Sequence, residues 1–120
     1  MITDFDRGDV VLVDLGMASE TRPCVVVSGR QPDRQRNLVV VVPLTTEIRR
    51  GECEVAFPKP RWLRQESVVN VLGIAGVDRA RIVRRIALFP EESFAQVMEA
   101  AARMLGLARR ASDQTESSTT

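Results

Sequence analysis

Histidine is absent from this 120-residue chain, and lysine occurs once, at Lys59. Without histidine no His-pair acid–base mechanism can operate, and the commonest zinc ligand is missing. The two cysteines, Cys24 and Cys53, form no CxxC pair, which argues further against a zinc site. Neither a metal nor a cofactor is expected. Cys24 stands inside a valine run and reads as a small buried hydrophobe. No basic-plus-apolar leader opens the chain and no apolar stretch approaches the length of a membrane span, so a cytoplasmic protein without membrane attachment is expected. A formal net charge of +1 excludes a strongly basic coat, leaving any nucleic-acid contact to a local patch.

The length fits one domain, long enough to bury a core without disulfides or metals. Of its seventeen basic residues, sixteen are arginine, whose planar fork matches phosphate, although arginine-favouring codon usage is the simpler explanation of such a bias. Two β-branched runs dominate the pattern: Cys24 to Ser28, and Leu38 to Leu44 with four consecutive valines. Arg22 precedes the first run and Thr45-Thr46 follows the second. If the runs pair antiparallel, the start of one lies beside the end of the other. A guanidinium and two hydroxyls then meet at one sheet rim, a plausible anion site. The valine run itself predicts a strand that is buried on both faces or sits in a closed barrel.

Further strands are predicted over Val10 to Leu15, Cys53 to Phe57, Ser67 to Leu72 and Ile82 to Ile86. Thr45 to Gly51 reads as a helical turn capped by a threonine hydroxyl, with Thr46 preferred as a pure cap and Thr45 able to cap as well as act in catalysis. Gly73 and Gly76 loosen the chain between strands. Asn70, in the middle of an apolar run, is either a structural hydrogen-bonder or part of a site. Trp62 reads as core or interface, with base stacking as the alternative. Pro90 at the first helical position, Glu91 and Glu92 at the dipole's positive end, and Phe94, Val97, Met98, Ala101 and Leu105 at helical spacing predict one long helix that Gly106 stops. The domain is expected over 1–108 and a disordered polar tail over 109–120. These elements suggest a small, strongly bent sheet or partly open barrel closed by a helix.

Arg7-Gly8-Asp9-Val10, Thr21-Arg22-Pro23-Cys24, Val42-Pro43-Leu44-Thr45 and Leu105-Gly106-Leu107 occur in an order and spacing that resembles the MazF/PemK family of toxin–antitoxin ribonucleases. The resemblance implies an α+β, mainly β fold: a strongly bent SH3-like or PemK-type β-barrel with a C-terminal α-helix packed on it. It also implies a homodimer, metal-independent cleavage of single-stranded RNA by the ribose 2′-hydroxyl, and inhibition by a cognate antitoxin protein. The family's catalytic arginine falls on Arg22 and its threonine on Thr45, the residues of the anion rim. Glu20 is the candidate counterpart of an acidic residue used by some members. Thr21, Ser28, Thr46 and Arg49 are the accompanying RNA-contact candidates.

Two departures from the family pattern matter. The longer SEQxGxRP loop of many members is here the short Ser19-Glu20-Thr21-Arg22-Pro23. Where many members line the RNA groove with a polar Gln-Ile-Arg-Thr-type segment, this chain has Leu72-Gly73-Ile74-Ala75-Gly76. Two alternatives therefore stand beside the ribonuclease on the same fold: a gyrase-poisoning binder of the CcdB type, and a catalytically silent relative.

Overall fold

The computed structural model describes residues 5–16, 20–30 and 37–107. The expected polar tail and most of the Gly29 to Asn37 loop lie outside the described residues. Seven strands form one antiparallel system: β1 (Asp9–Asp14), β2 (Thr21–Val26), β3 (Leu38–Thr45), β4 (Glu54–Ala56), β5 (Val68–Asn70), β6 (Ala75–Asp78) and β7 (Ile82–Leu88). Their order is β4-β5-β3-β2-β1-β7, with β6 on β3 beside the path. The β4 and β7 ends do not pair with each other, so the described sheet is not closed. One helix, α1 (Glu91–Met104), follows.

β3 organises the sheet. Its first half, Leu38 to Val41, pairs with β6, and its end, Leu44–Thr45, pairs with β5 on the same edge; β2 takes the other edge. Because strand side chains alternate, successive valines feed two separate cores. Val10, Val25, Val42 and Leu44 join Val55, Val69, Phe89, Val97 and Ala101 in the cluster beneath α1. Val11, Val13, Cys24, Val26, Val39 and Val41 form the second, closed by Phe5, Val77 and Ile82. The valine run is thus buried on both faces, and each fully buried valine contributes about 1.5–3 kcal/mol.

α1 forms as its pattern requires. Pro90 is the N-cap and not, as expected, the first helical residue, so the helix begins one position later, with Glu91 and Glu92 in its first turn. Val97, Ala100 and Ala101 are its buried apolar stripe. Gly106, at φ 77°, adopts the left-handed conformation that ends the helix at little steric cost.

Two expectations are corrected. Ala75–Asp78, read as loose chain, is a strand, because the backbone of β3 offers an edge that pairs Val40 with Gly76 whatever the side chain. No helical turn forms over Thr45 to Gly51. The hydroxyl of Thr45, not Thr46, accepts the Glu47 N–H at 3.0 Å, and the Glu54 carboxylate accepts the N–H groups of Arg49 and Arg50. These side-chain acceptors satisfy the backbone locally and leave no helical bonding to form.

Candidate active site

β2 and β3 are antiparallel neighbours, with Cys24 opposite Pro43, Val25 opposite Val42 and Val26 opposite Val41. Continued two residues beyond Cys24, this register sets Arg22 across from Thr45. Directly opposite residues project from the same face of a sheet. Arg22 is held extended by Pro23 and fixed on its other side by pairing with Val13 of β1. Thr45 is fixed by pairing with Val68 of β5.

A cleft of about 430 Å³ opens at this rim. Its lining comes from three neighbouring segments: Glu20 to Pro23 at the start of β2, Leu44 to Thr46 at the end of β3, and Leu63, Arg64, Gln65 and Ser67 on the approach to β5. Five of the residues singled out in the sequence, Glu20, Thr21, Arg22, Thr45 and Thr46, are therefore brought together. Two are not. Ser28 lies beyond the opposite end of β2, where its hydroxyl accepts the Val40 N–H at 3.1 Å. Arg49 pairs with Glu47 at 2.6 Å beside a smaller depression, shared by Thr45, Glu54, Asn70 and Leu72. That hydrogen bond and charge hold the exposed Glu47 carboxyl below the usual glutamate value.

The cleft's electrostatics follow from its residue types. The Arg22 side chain is 43 % exposed and lies 3.7 Å from the Glu20 carboxylate, an arrangement open enough for a dianionic or monoanionic ligand to take the guanidinium. Thr45 is half-buried. Its oxygen accepts from the Glu47 N–H, and its hydroxyl keeps a proton to donate. Glu20 is the one carboxylate lining the cleft among the described residues. Just beneath, burial pushes the Cys24 thiol up to about 12 despite the neighbouring Arg22 charge, which makes it inert packing and not a nucleophile.

Asn70 resolves as a structural group, its side-chain oxygen accepting the Leu72 N–H at 3.2 Å. Trp62 packs against the α1 core cluster. Among the described residues no group of three or more Cys, Asp or Glu side chains is placed to hold a metal ion, and no helix is long and apolar enough to cross a membrane.

A family model for the PemK-like, MazF-like toxins of type II toxin–antitoxin systems matches residues 6–105. The chain belongs to the MazF/PemK toxin family. The fold agrees: an endoribonuclease solved in complex with its cognate antitoxin, from a mycobacterial species, is similar at a TM-score of 0.76 and 26 % identity, covering 88 % of this chain and 99 % of that one. MazF in the MazE–MazF complex of Deinococcus radiodurans is similar in fold at 0.73 and 23 %, over 89 % and 100 %. The Mycobacterium tuberculosis toxin MazF-mt6 is similar at 0.71 and 22 %, over 84 % and 99 %. The MazF/PemK domain thus accounts for all seven strands and α1.

Sequence reasoning missed the β5 side of the cleft. Arg64, Gln65 and Glu66 are three exposed polar residues between Leu63 and Ser67, both buried, which is the signature of an anchored loop; the first two of them line the cleft. Only the pairing of Thr45 with Val68 reveals what they face.

Proposed function

We propose that this MazF/PemK toxin is an endoribonuclease that cleaves single-stranded RNA by attack of a ribose 2′-hydroxyl on the adjacent phosphodiester, without a metal ion. The observation that carries the reading is the meeting of Arg22 and Thr45 across one cleft. In such a reaction negative charge grows on the non-bridging phosphate oxygens. The guanidinium supplies two donors in a fork and the Thr45 hydroxyl a third, preorganised by strands and by the Glu47 N–H. The 2′-oxygen forms its bond to phosphorus as its proton leaves, and the 5′-oxygen departs and gains a proton. Arginine holds its proton too tightly to act as the base. Glu20 is the carboxylate with access to that role.

We also infer a homodimer inhibited by a small cognate antitoxin, a reading supported by relatives solved as toxin–antitoxin complexes. The ribonuclease reading is tested by incubating the purified protein with a mixed single-stranded RNA pool in EDTA. Discrete fragments are expected from RNA and none from a 2′-deoxy pool, with Arg22→Ala inactive. Intact RNA, or equal cleavage by Arg22→Ala, overturns the mechanism and returns the protein to the gyrase-binding or silent-relative alternatives.

A further inference from the structure

Arg64 is an exposed arginine on the wall of the cleft, and among the described residues its guanidinium has no carboxylate partner. This contrasts with Arg22, whose charge is shared with Glu20. The loop that carries Arg64 is fixed on both sides. Leu63 is 9 % exposed within the α1 core cluster, and its N–H is donated to the Pro60 carbonyl at 3.2 Å. Ser67, 5 % exposed, donates its hydroxyl to the Gln65 carbonyl at 3.2 Å. A cation on an anchored loop that lines a polar cleft, with no carboxylate partner among the described residues, loses little conformational freedom when an anion arrives.

Sheet order gives the direction. Across the rim run β1, β2 with Arg22, β3 with Thr45, then β5 entered from Ser67. A strand of nucleic acid crossing the rim passes Arg22 and Thr45 and next meets Arg64. The cleft is at the small end of ligand sites, roughly 300–1,000 Å³, so it suits about one nucleotide while the chain continues past its walls.

We propose that Arg64 is a positioning residue that holds a backbone phosphate neighbouring the one bound by Arg22 and Thr45, and so sets the register of the RNA strand in the cleft. The proposal rests on the ribonuclease reading for the identity of the strand. Arg64 acts on binding and not on the bond being broken.

The test pairs cleavage of an RNA pool with equilibrium binding of a 2′-O-methyl RNA pool of equal length, which cannot react, over a salt series. Arg64→Ala is expected to raise KM about 5- to 10-fold with kcat little changed, and to make the salt dependence of binding shallower by about 0.7 in log–log slope, one phosphate contact to a single strand. Arg64→Lys should keep the slope. Arg61→Ala removes an equal charge from the same loop outside the cleft and should change neither. An unchanged slope and KM in Arg64→Ala, or an equal loss in Arg61→Ala, overturns the proposal. Wild-type protein that binds the inert pool with an Arg64-dependent slope yet cleaves nothing upholds the phosphate subsite and sinks the ribonuclease reading. Absence of any binding sinks both.

Discussion

Replacing Thr45 by Val separates catalysis from folding, because the shape is kept and only the hydroxyl is lost. In the structure this hydroxyl has one described bond, accepted from the Glu47 N–H at 3.0 Å in an exposed turn. Water can take over that N–H, so the loss of stability belongs at the low end of a hydrogen bond's worth, about 0.5 kcal/mol. Against a typical domain stability of about 5–15 kcal/mol, the variant stays folded. On the proposed mechanism the same substitution removes one of the donors assigned to the phosphate, which typically costs about 10²- to 10³-fold in rate, or roughly 2.7–4 kcal/mol of barrier. Single-turnover cleavage of a labelled oligonucleotide in EDTA, beside a thermal melt, reads the two effects independently. Thr45→Ser, which restores the hydroxyl, should recover most of the rate. Because Arg22 and Thr45 are assigned to one phosphate, Arg22→Ala combined with Thr45→Val should cost less than the product of the two single losses. Wild-type rates in Thr45→Val, or strict multiplication in the double variant, would refute a shared phosphate.

Three other perturbations follow from the geometry. A Cβ on Gly73 would lie 2.7 and 2.9 Å from the Pro43 ring, so Gly73→Ala must push β3 or the 71–73 turn aside; a loss of about 1–3 kcal/mol in denaturant melts is expected, with reduced cleavage because Thr45 is two residues from Pro43. Unchanged stability would show that the turn yields freely. Since burial raises the Cys24 thiol from 9.0 to about 12, the unfolded chain loses that proton first as pH rises; the stabilisation is complete below pH 9 and is lost between 9 and 12, and Cys24→Ala should flatten the fall in Tm over that window. Arg85 reaches the buried Asp9 carboxylate at 2.9 Å and covers the Phe5 ring at 5.3 Å, so Arg85→Ala should lower stability by about 1–2 kcal/mol, discounted for the partial exposure of the guanidinium, while leaving kcat unaltered. A large change in kcat would link this corner to the cleft.

The strands and the helix were legible wherever side-chain chemistry had only one use. Four valines in succession call for a strand that is buried on both faces or sits in a closed barrel, and two cores on an unclosed sheet decide for the first; the helix announced itself through Pro90, its acidic first turn and Gly106. The Arg22–Thr45 meeting was legible as well, because antiparallel pairing of neighbouring runs is the simplest connection available. Thr45-Thr46-Glu47 was misread since a helix cap and an isolated hydroxyl turn share the same residues, and the deciding acceptor, Glu54, comes from the next strand. β6 escaped because Ala75 and Gly76 carry no apolar signal and are ordered by β3 alone. Arg64 escaped for a related reason: its place beside Thr45 depends on β5 returning to β3 across more than twenty residues.

The prolines explain why a cleft exists at this rim at all. The N–H of Val27 is donated to the Val40 carbonyl, so by alternation positions 25 and 23 of β2 also face β3. At position 23 the residue is Pro23, which has no N–H to give, and the described β2–β3 ladder ends at Cys24 opposite Pro43. On the outer sides nothing stops the pairing: β1 follows β2 to Thr21, and β5 meets β3 at Thr45. Each strand is thus held by its outer neighbour beyond the point where the β2–β3 register ends, at the level of Arg22 and Thr45. Pro43 performs the corresponding task on the other edge of β3, where its missing N–H falls between the end of β6 pairing at Val41 and the start of β5 pairing at Leu44. One proline therefore ends the β2–β3 ladder at the rim where the phosphate is proposed to bind. The other marks the handover that brings β5, and with it Arg64, to that rim.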